Sequence, residues 1–167
     1  MQTAKVIGTV VATKKDKRLE GIRLMVIQPQ NAAGKDEGTP IVACDVVGSG
    51  IGETVLYAKS QGGRMLIAKI TGNIVSTVKH PDYQNHKLFI VRAVDLEGKE
   101  YGPEVVCVDG CETPAGVGDY VLVDEEGGGA RDLACIDHTG PVEHTVAAVI
   151  EYINTNQGGF RQFAREE

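Results

Sequence analysis

Ala4-Lys5-Val6-Ile7-Gly8-Thr9-Val10-Val11-Ala12-Thr13 and Ala68-Lys69-Ile70-Thr71-Gly72-Asn73-Ile74-Val75-Ser76-Thr77 read as two versions of one strand, 64 positions apart, with five of ten positions identical. The offset holds further along the chain. Leu24-Met25-Val26 falls on Leu88-Phe89-Ile90, and Ile41-Val42-Ala43-Cys44-Asp45 falls on Val105-Val106-Cys107-Val108-Asp109. After an insertion of two residues, Gly52-Glu53-Thr54-Val55-Leu56 meets Gly118-Asp119-Tyr120-Val121-Leu122, and both copies run into a glycine-rich stretch and an arginine (Gly62-Gly63-Arg64 and Gly127-Gly128-Gly129-Ala130-Arg131). Self-similarity at a fixed offset is the mark of a duplicated unit.

Each unit reads as strand, polar hairpin tip, strand, loop, strand, glycine-rich turn, strand. The tips are Lys14-Lys15-Asp16-Lys17-Arg18, expected as a solvated hairpin end, and the segment Lys79 to His86 with its Pro81-Asp82 turn signal. The chain holds 21 Val, 12 Ile and 11 Thr against eight Leu, with 21 Gly among 167 residues. β-branched side chains pack on pleated surfaces and glycine supplies turns, so the composition predicts an all-β fold. Short strands with frequent turn signals and no helical period predict two tandem small OB-like β-barrels. Apolar residues on both faces of the first strand, near Val10 and Val11, predict a strand buried against both a core and a neighbour. We divide the chain at 1–67, 68–153 and a polar tail, 154–167, read as a loosely held extension. The copies end differently. Val142 to Ile150 supplies a last strand to the second, whereas only Met65-Leu66-Ile67 separates Arg64 from the second copy. The first barrel is therefore open at an edge or closed by a strand from elsewhere.

Charge and composition narrow the function. Seventeen basic against 23 acidic residues leave −6, with no Trp and eight Phe plus Tyr. Single-strand binders need a basic groove and stacking aromatics, so nucleic acid is not an expected partner. The longest apolar runs reach four or five residues, far short of the roughly 20 of a spanning helix, so no membrane is expected either. No secretory pattern precedes the first strand, which places the chain in the cytoplasm. Cys44, Cys107, Cys111 and Cys135 are expected as buried thiols, because Cys107-x-x-x-Cys111 is not a zinc-ribbon spacing. His80, His86, His138 and His144 are expected as exposed loop residues without metal-ligand spacing.

Candidate site residues are chiefly turn formers. Gly48-Ser49-Gly50-Ile51-Gly52-Glu53 lacks both the G-x-G-x-x-G spacing and the following helix that would hold a phosphate. With Gly116, Gly118 and Asp119 it forms the candidate subunit-contact loop, where missing side chains let a neighbour approach. Gly8, Thr13, Gly72 and Thr77 are candidate strand and turn positions, and Asp45 and Asp109 are equivalent aspartates expected to satisfy turns. No nucleophile, metal or cofactor motif appears, so no catalytic, metal or cofactor-binding residue is assigned.

Gly8-x-Val10-x-x-Thr13-x-Lys15, Leu19-x-Gly21-x-x-Leu24 and Ala43-x-Asp45-x-Val47-Gly48-x-Gly50-x-Gly52-Glu53-x-Val55-Leu56 resemble the EutN/CcmL family, vertex proteins of bacterial microcompartment shells. The second copy keeps Gly72, Thr77, Leu88, Asp109, Gly118-Asp119 and Val121-Leu122. The resemblance implies OB-like barrels in a five-membered ring that plugs shell corners, with no catalysis, and with itself and other shell proteins as partners. Typical members carry one barrel per chain. Two per chain allow three chains with six barrels, or five chains with one barrel of each in the ring, and the unequal copies favour five. The alternative from another class is a tandem OB-like module binding oligonucleotide or oligosaccharide.

Overall fold

The computed structural model describes residues 2–58, 65–111, 113–125, 127–137, 140–156 and 159–162. The first copy supplies β1 (Gln2–Val11), β2 (Lys14–Lys15), β3 (Arg23–Gln30), β4 (Ile41–Asp45) and β5 (Thr54–Tyr57). The second supplies β6 (Met65–Ile74), β7 (Leu88–Val94), β8 (Glu100–Val108), β9 (Tyr120–Asp124), α1 (Gly127–Leu133) and β10 (Thr145–Val149). β11 (Tyr152–Thr155) and β12 (Gly159–Gln162) follow. Short 3-10 turns, Lys17–Leu19 and Pro81–Tyr83, occupy the two hairpin tips.

The second copy closes on itself. β6 pairs β7, β7 pairs β8, β8 meets β10 in parallel, β10 pairs β9 and β9 returns to β6. This circuit of five strands is the OB-like barrel predicted from the sequence. Ala68, Ile70, Phe89, Val91, Cys107, Val121, Val123 and Val146 fill it. The first copy repeats the plan only in part: β5 lies along β1, β1 pairs β3, β3 pairs β4, and β4 meets β6 at Val42 and Met65. Among the described residues it has no counterpart of α1 or β10. Equivalent bulges, between Val6 and Gly8 and between Ile70 and Gly72, bend the two lead strands alike.

The first barrel borrows from the end of the chain. β11 lies antiparallel to the second half of β1, with Gly8 opposite Thr155 and Val11 opposite Tyr152, and β12 adds to β11. Asn154 and Thr155 are thus strand residues, and the loosely held tail expected from 154 onward is corrected over the described residues. β2 likewise pairs β10, Lys15 with Ala148 and Lys14 with Val149. Asp16, buried, donates its amide to the Ala147 carbonyl at 3.0 Å and accepts from Arg18 Nε at 2.9 Å, while Arg18 also donates to the Asp132 carbonyl of α1. The basic tip, expected as a solvated end, is docked through its backbone and Asp16, while Lys14, Lys17 and Arg18 remain exposed.

One apolar cluster joins the copies. Leu19, Leu24, Val26 and Val42 of the first pack with Leu122, Leu133, Ala147, Ile150 and Ile153 of the second. The side chains of β3 divide by period-2 alternation: Met25 and Ile27 point into the first barrel, Leu24 and Val26 into the shared cluster. A strand buried on both faces is apolar throughout, as the first copy's sequence reads.

Glycine-rich Gly127 to Arg131 forms α1, an element the lack of helical periodicity did not predict; Ala130, Ala134, Ile136 and Val142 pack beneath Val108. A disulfide links Cys111 to Cys135, the latter at φ 54° beyond the helix. The expectation of four unpaired thiols is corrected at these two, whose pairing across 24 residues the local cysteine spacing does not signal. Cys107 is a buried thiol, pushed above its ordinary value first by burial, and Cys44 is an exposed one. The stretch Gly62-Gly63-Arg64 lies outside the described residues.

Candidate functional site

The two glycine-rich turns are the same device built twice. In the first, Gly50 N–H donates to Glu53 Oε2 at 2.8 Å and Glu53 N–H to the Gly50 carbonyl at 3.2 Å. Gly52 N–H then donates to the Val6 carbonyl at 2.8 Å, and Val6 N–H to the Glu53 carbonyl at 2.9 Å. In the second, Gly116 donates to Asp119 Oδ2 at 2.9 Å, and Gly118 and Asp119 exchange the same pair of bonds with Ile70 at 2.9 Å. Gly52 and Gly118 stand at φ +95° and +90°, the left-handed region where a Cβ is strained. Gly50 and Gly116 are not in that region. Each turn clamps its own lead strand, and the first leaves Val46, Val47 and Ile51 exposed.

Asp45 and Asp109 hold different groups from equivalent places. Asp45 Oδ1 accepts from the amides of Val47, Gly48 and Ser49 at 2.9–3.1 Å, and Arg23 stands 3.5 Å from its other oxygen. The Ser49 amide, with those of Val47 and Gly48, holds its carboxyl below the ordinary range. Buried Ser49 offers its carbonyl to Arg23 Nη2 at 3.3 Å. Asp109 Oδ1 accepts from the Lys87 amide and pairs with His86 Nδ1, both at 3.0 Å. Both aspartates serve local turns and strands, and no carboxylate pair forms.

The strand positions separate the copies. A Cβ on Gly8 would collide with the Asn154 carbonyl oxygen and lie 2.9 Å from Thr155 Cα, because β11 runs against it. At Gly72 the nearest atom would be Ile90 Cδ1, at an ordinary 3.5 Å. Thr13 and Thr77 are both exposed, and Thr13 donates to the Glu151 carboxylate. At Gly8 the end of the chain presses on the strand, and at its repeat Gly72 it does not.

The titratable groups do not converge. Among the described residues, no three of His, Cys, Asp and Glu come together to hold a metal ion. His80 is exposed, but His86 is mostly buried beside Asp109 and His144 stands 4.0 Å from Glu125, which corrects their reading as exposed loop residues. His138 lies outside the described residues. No helix among the described residues is long and apolar enough to cross a membrane. A cleft between the copies is lined by Ile7, Val42, Met65 and Val94 together with Asp36, Asp95 and Glu97.

Two OB-like units in tandem, joined by an apolar contact between the copies, define a duplicated β-barrel protein. The chain matches the family described as "Ethanolamine utilisation protein EutN/carboxysome" twice, over residues 1–64 and 65–151, and belongs to that family. It is 41% identical over 86 residues to the carboxysome shell vertex protein CcmL of Synechocystis sp., a match covering 47% of this chain and 85% of that one. To the bacterial microcompartment shell vertex protein EutN of Escherichia coli it is 34% identical over 89 residues, covering 53% and 90%. The solved structure of CcmL from Nostoc sp. superposes with a TM-score of 0.51 at 32% identity, over 61% of this chain and all of that one. Each relative thus spans about half of the duplicated chain. The oligonucleotide- or oligosaccharide-binding alternative finds no support in these relatives.

Proposed function

We propose that the chain is a structural subunit of a bacterial microcompartment shell in the cytoplasm, that it caps vertices as a ring-shaped oligomer, and that its work is contact with copies of itself and with other shell proteins. The observation that carries this is the double match to a family whose named relatives are shell vertex proteins. The Gly48 to Glu53 turn is read as a subunit contact, supported by the exposed apolar residues Val46, Val47 and Ile51 around a turn that is already rigid. Closed symmetry then does what a catalytic site does elsewhere: one contact, repeated with a constant rotation, makes a ring. The test is the native mass by light scattering at micromolar concentration. Five times the 17.8-kDa chain is expected. Three times that mass would move the reading from a vertex plug to a facet-like tile, and a monomer would refute it.

A further inference from the structure

We propose that the Cys111–Cys135 disulfide is a redox-controlled latch on the joint between the two copies: closed, it pins the end of α1 where the first copy's hairpin tip docks, and reduced, it lets α1 and the tip loosen together. The latch is a property of the single chain and does not depend on the ring.

The end of α1 is built around a cysteine where a glycine ordinarily stands. Ile136 N–H donates to the Arg131 carbonyl at 2.9 Å and Cys135 N–H to the Asp132 carbonyl at 3.2 Å. These are the two bonds of a Schellman cap, whose left-handed residue is usually glycine. Cys135 holds that place at φ 54°, the one non-glycine residue among those described with a positive φ. A Cβ is unfavourable there, and the bond to Cys111, 24 positions back with its Cα 6.1 Å away, offsets it. The helix also needs the help. It has seven residues, and Gly127, Gly128 and Gly129 oppose helix formation. Apart from the bridge it is held by Thr145 Oγ1 on the Ala130 carbonyl, by Cys111 N–H on the Leu133 carbonyl at 3.1 Å, and by packing of Ala130 and Ala134.

What α1 carries is contact with the other copy. Leu133 belongs to the apolar cluster that also holds Leu19 of the hairpin tip, and the Asp132 carbonyl accepts from Arg18. Movement of α1 therefore reaches the tip directly. Both bridged cysteines are exposed, so a small thiol or disulfide can reach them, whereas Cys107 is sealed in the second barrel. Closing forms one Sγ–Sγ bond and releases two electrons and two protons. With a low-molecular-weight disulfide as oxidant, one cysteine thiolate attacks it and expels a thiol, and the second thiolate attacks the mixed disulfide and expels another. Opening is the reverse, with two such thiols as reductant. Thiol pools like that of the cytoplasm open accessible disulfides, so the redox state of the surroundings sets the latch.

The test follows amide exchange in the full chain by NMR, after oxidised glutathione and after dithiothreitol. Peptide mapping should find Cys111 linked to Cys135 in the first state and both free in the second. A bridge closing a loop of this length can shift an opening equilibrium on the order of a hundredfold. On reduction the Ala134 and Ile136 amides should exchange roughly tenfold faster or more, those of Arg18 to Glu20 should quicken with them, and those of Val91 and Val121 in the second barrel should not change. C111S/C135G suits the left-handed position and has no latch, so it should give one exchange pattern in oxidant and reductant alike. The parent's two redox states already make the comparison without any substitution. Failure of oxidised glutathione to link 111 with 135, or equal exchange in both states, would overturn the proposal. So would faster exchange at α1 with Arg18 to Glu20 unmoved, or a redox response that persists in C111S/C135G.

Discussion

Gly8 and Gly72 offer a matched pair in which one substitution should have opposite signs. At Gly8 an alanine methyl would enter the Asn154 carbonyl and press on Thr155 Cα at 2.9 Å, and these are backbone atoms that cannot rotate away. Either β1 or β11 must move, an overpacking cost of about 1–3 kcal/mol. If β11 lifts, Ile153, fully buried in the shared cluster, is also partly exposed, with about 1.5–3 kcal/mol at stake as an upper bound. At Gly72 the new methyl would meet Ile90 Cδ1 at 3.5 Å, and Gly72 does not occupy the left-handed region, so Gly72→Ala should gain about 0.4–1 kcal/mol from a less flexible unfolded chain. The variants should differ by roughly 2–4 kcal/mol, or about 5–15 °C in Tm for a chain of this size. Differential scanning calorimetry supplies the comparison, and hydrogen exchange of the Tyr152–Thr155 amides should show faster opening in Gly8→Ala alone. Equal melting temperatures, or protected β11 amides in a destabilised Gly8→Ala, would refute the close-approach argument.

Leu122→Ala should cost about 2–5 kcal/mol, since it empties a fully buried site, whereas Leu56→Ala at the equivalent exposed position should change monomer stability by no more than about 0.5 kcal/mol; urea titrations of both variants check the contrast. The lowered titration of Asp45 means that its hold on residues 47–49 is fully present above the ordinary carboxylate pKa of about 3.9 and is lost as pH falls through the folded value. The amide shifts of Val47, Gly48 and Ser49 should therefore move together in acid, and the same movement in Asp45→Asn would count against the carboxylate as its cause.

Local features were legible wherever both partners lay close in sequence or recurred in the repeat. The offset of 64 placed β6, β7 and β8 from β1, β3 and β4, and Gly52 and Gly118 stand in the positive-φ turns that their shared context requires. Apolar residues on both faces of the first strand, near Val10 and Val11, implied a strand set against a core and a neighbour; Val10 is buried in the cluster shared by the copies and Val11 lies opposite Tyr152 of β11, and only the structure says that this neighbour comes from the far end of the fold. α1 was hidden because Gly127, Gly128 and Gly129 oppose helix formation; the segment is held by packing of Ala130 and by the Ala130 carbonyl, which accepts from Thr145 Oγ1 at 2.8 Å. β11 was hidden for another reason. Tyr152-Ile153-Asn154-Thr155 has ordinary strand composition, and what makes it a strand is β1, more than 140 positions away.

That long-range pairing explains how a truncated copy can persist beside a complete one. Near its end the chain carries one closing set, β10 and β11, and both copies use it: β10 completes the second barrel and receives β2 of the first, while β11 covers the edge of β1. A first copy alone would leave the outward Leu24, Val26 and Val42 and the β1 edge in water, a surface prone to pairing with other chains. Joined to the second, it buries them within the chain and must fold together with it. What duplication adds is asymmetry: Val42 is buried between the copies while its repeat Val106 stays 51% exposed, and Leu24 joins the shared cluster while its repeat Leu88 packs against the cluster beneath α1, so one sequence pattern meets two different surroundings.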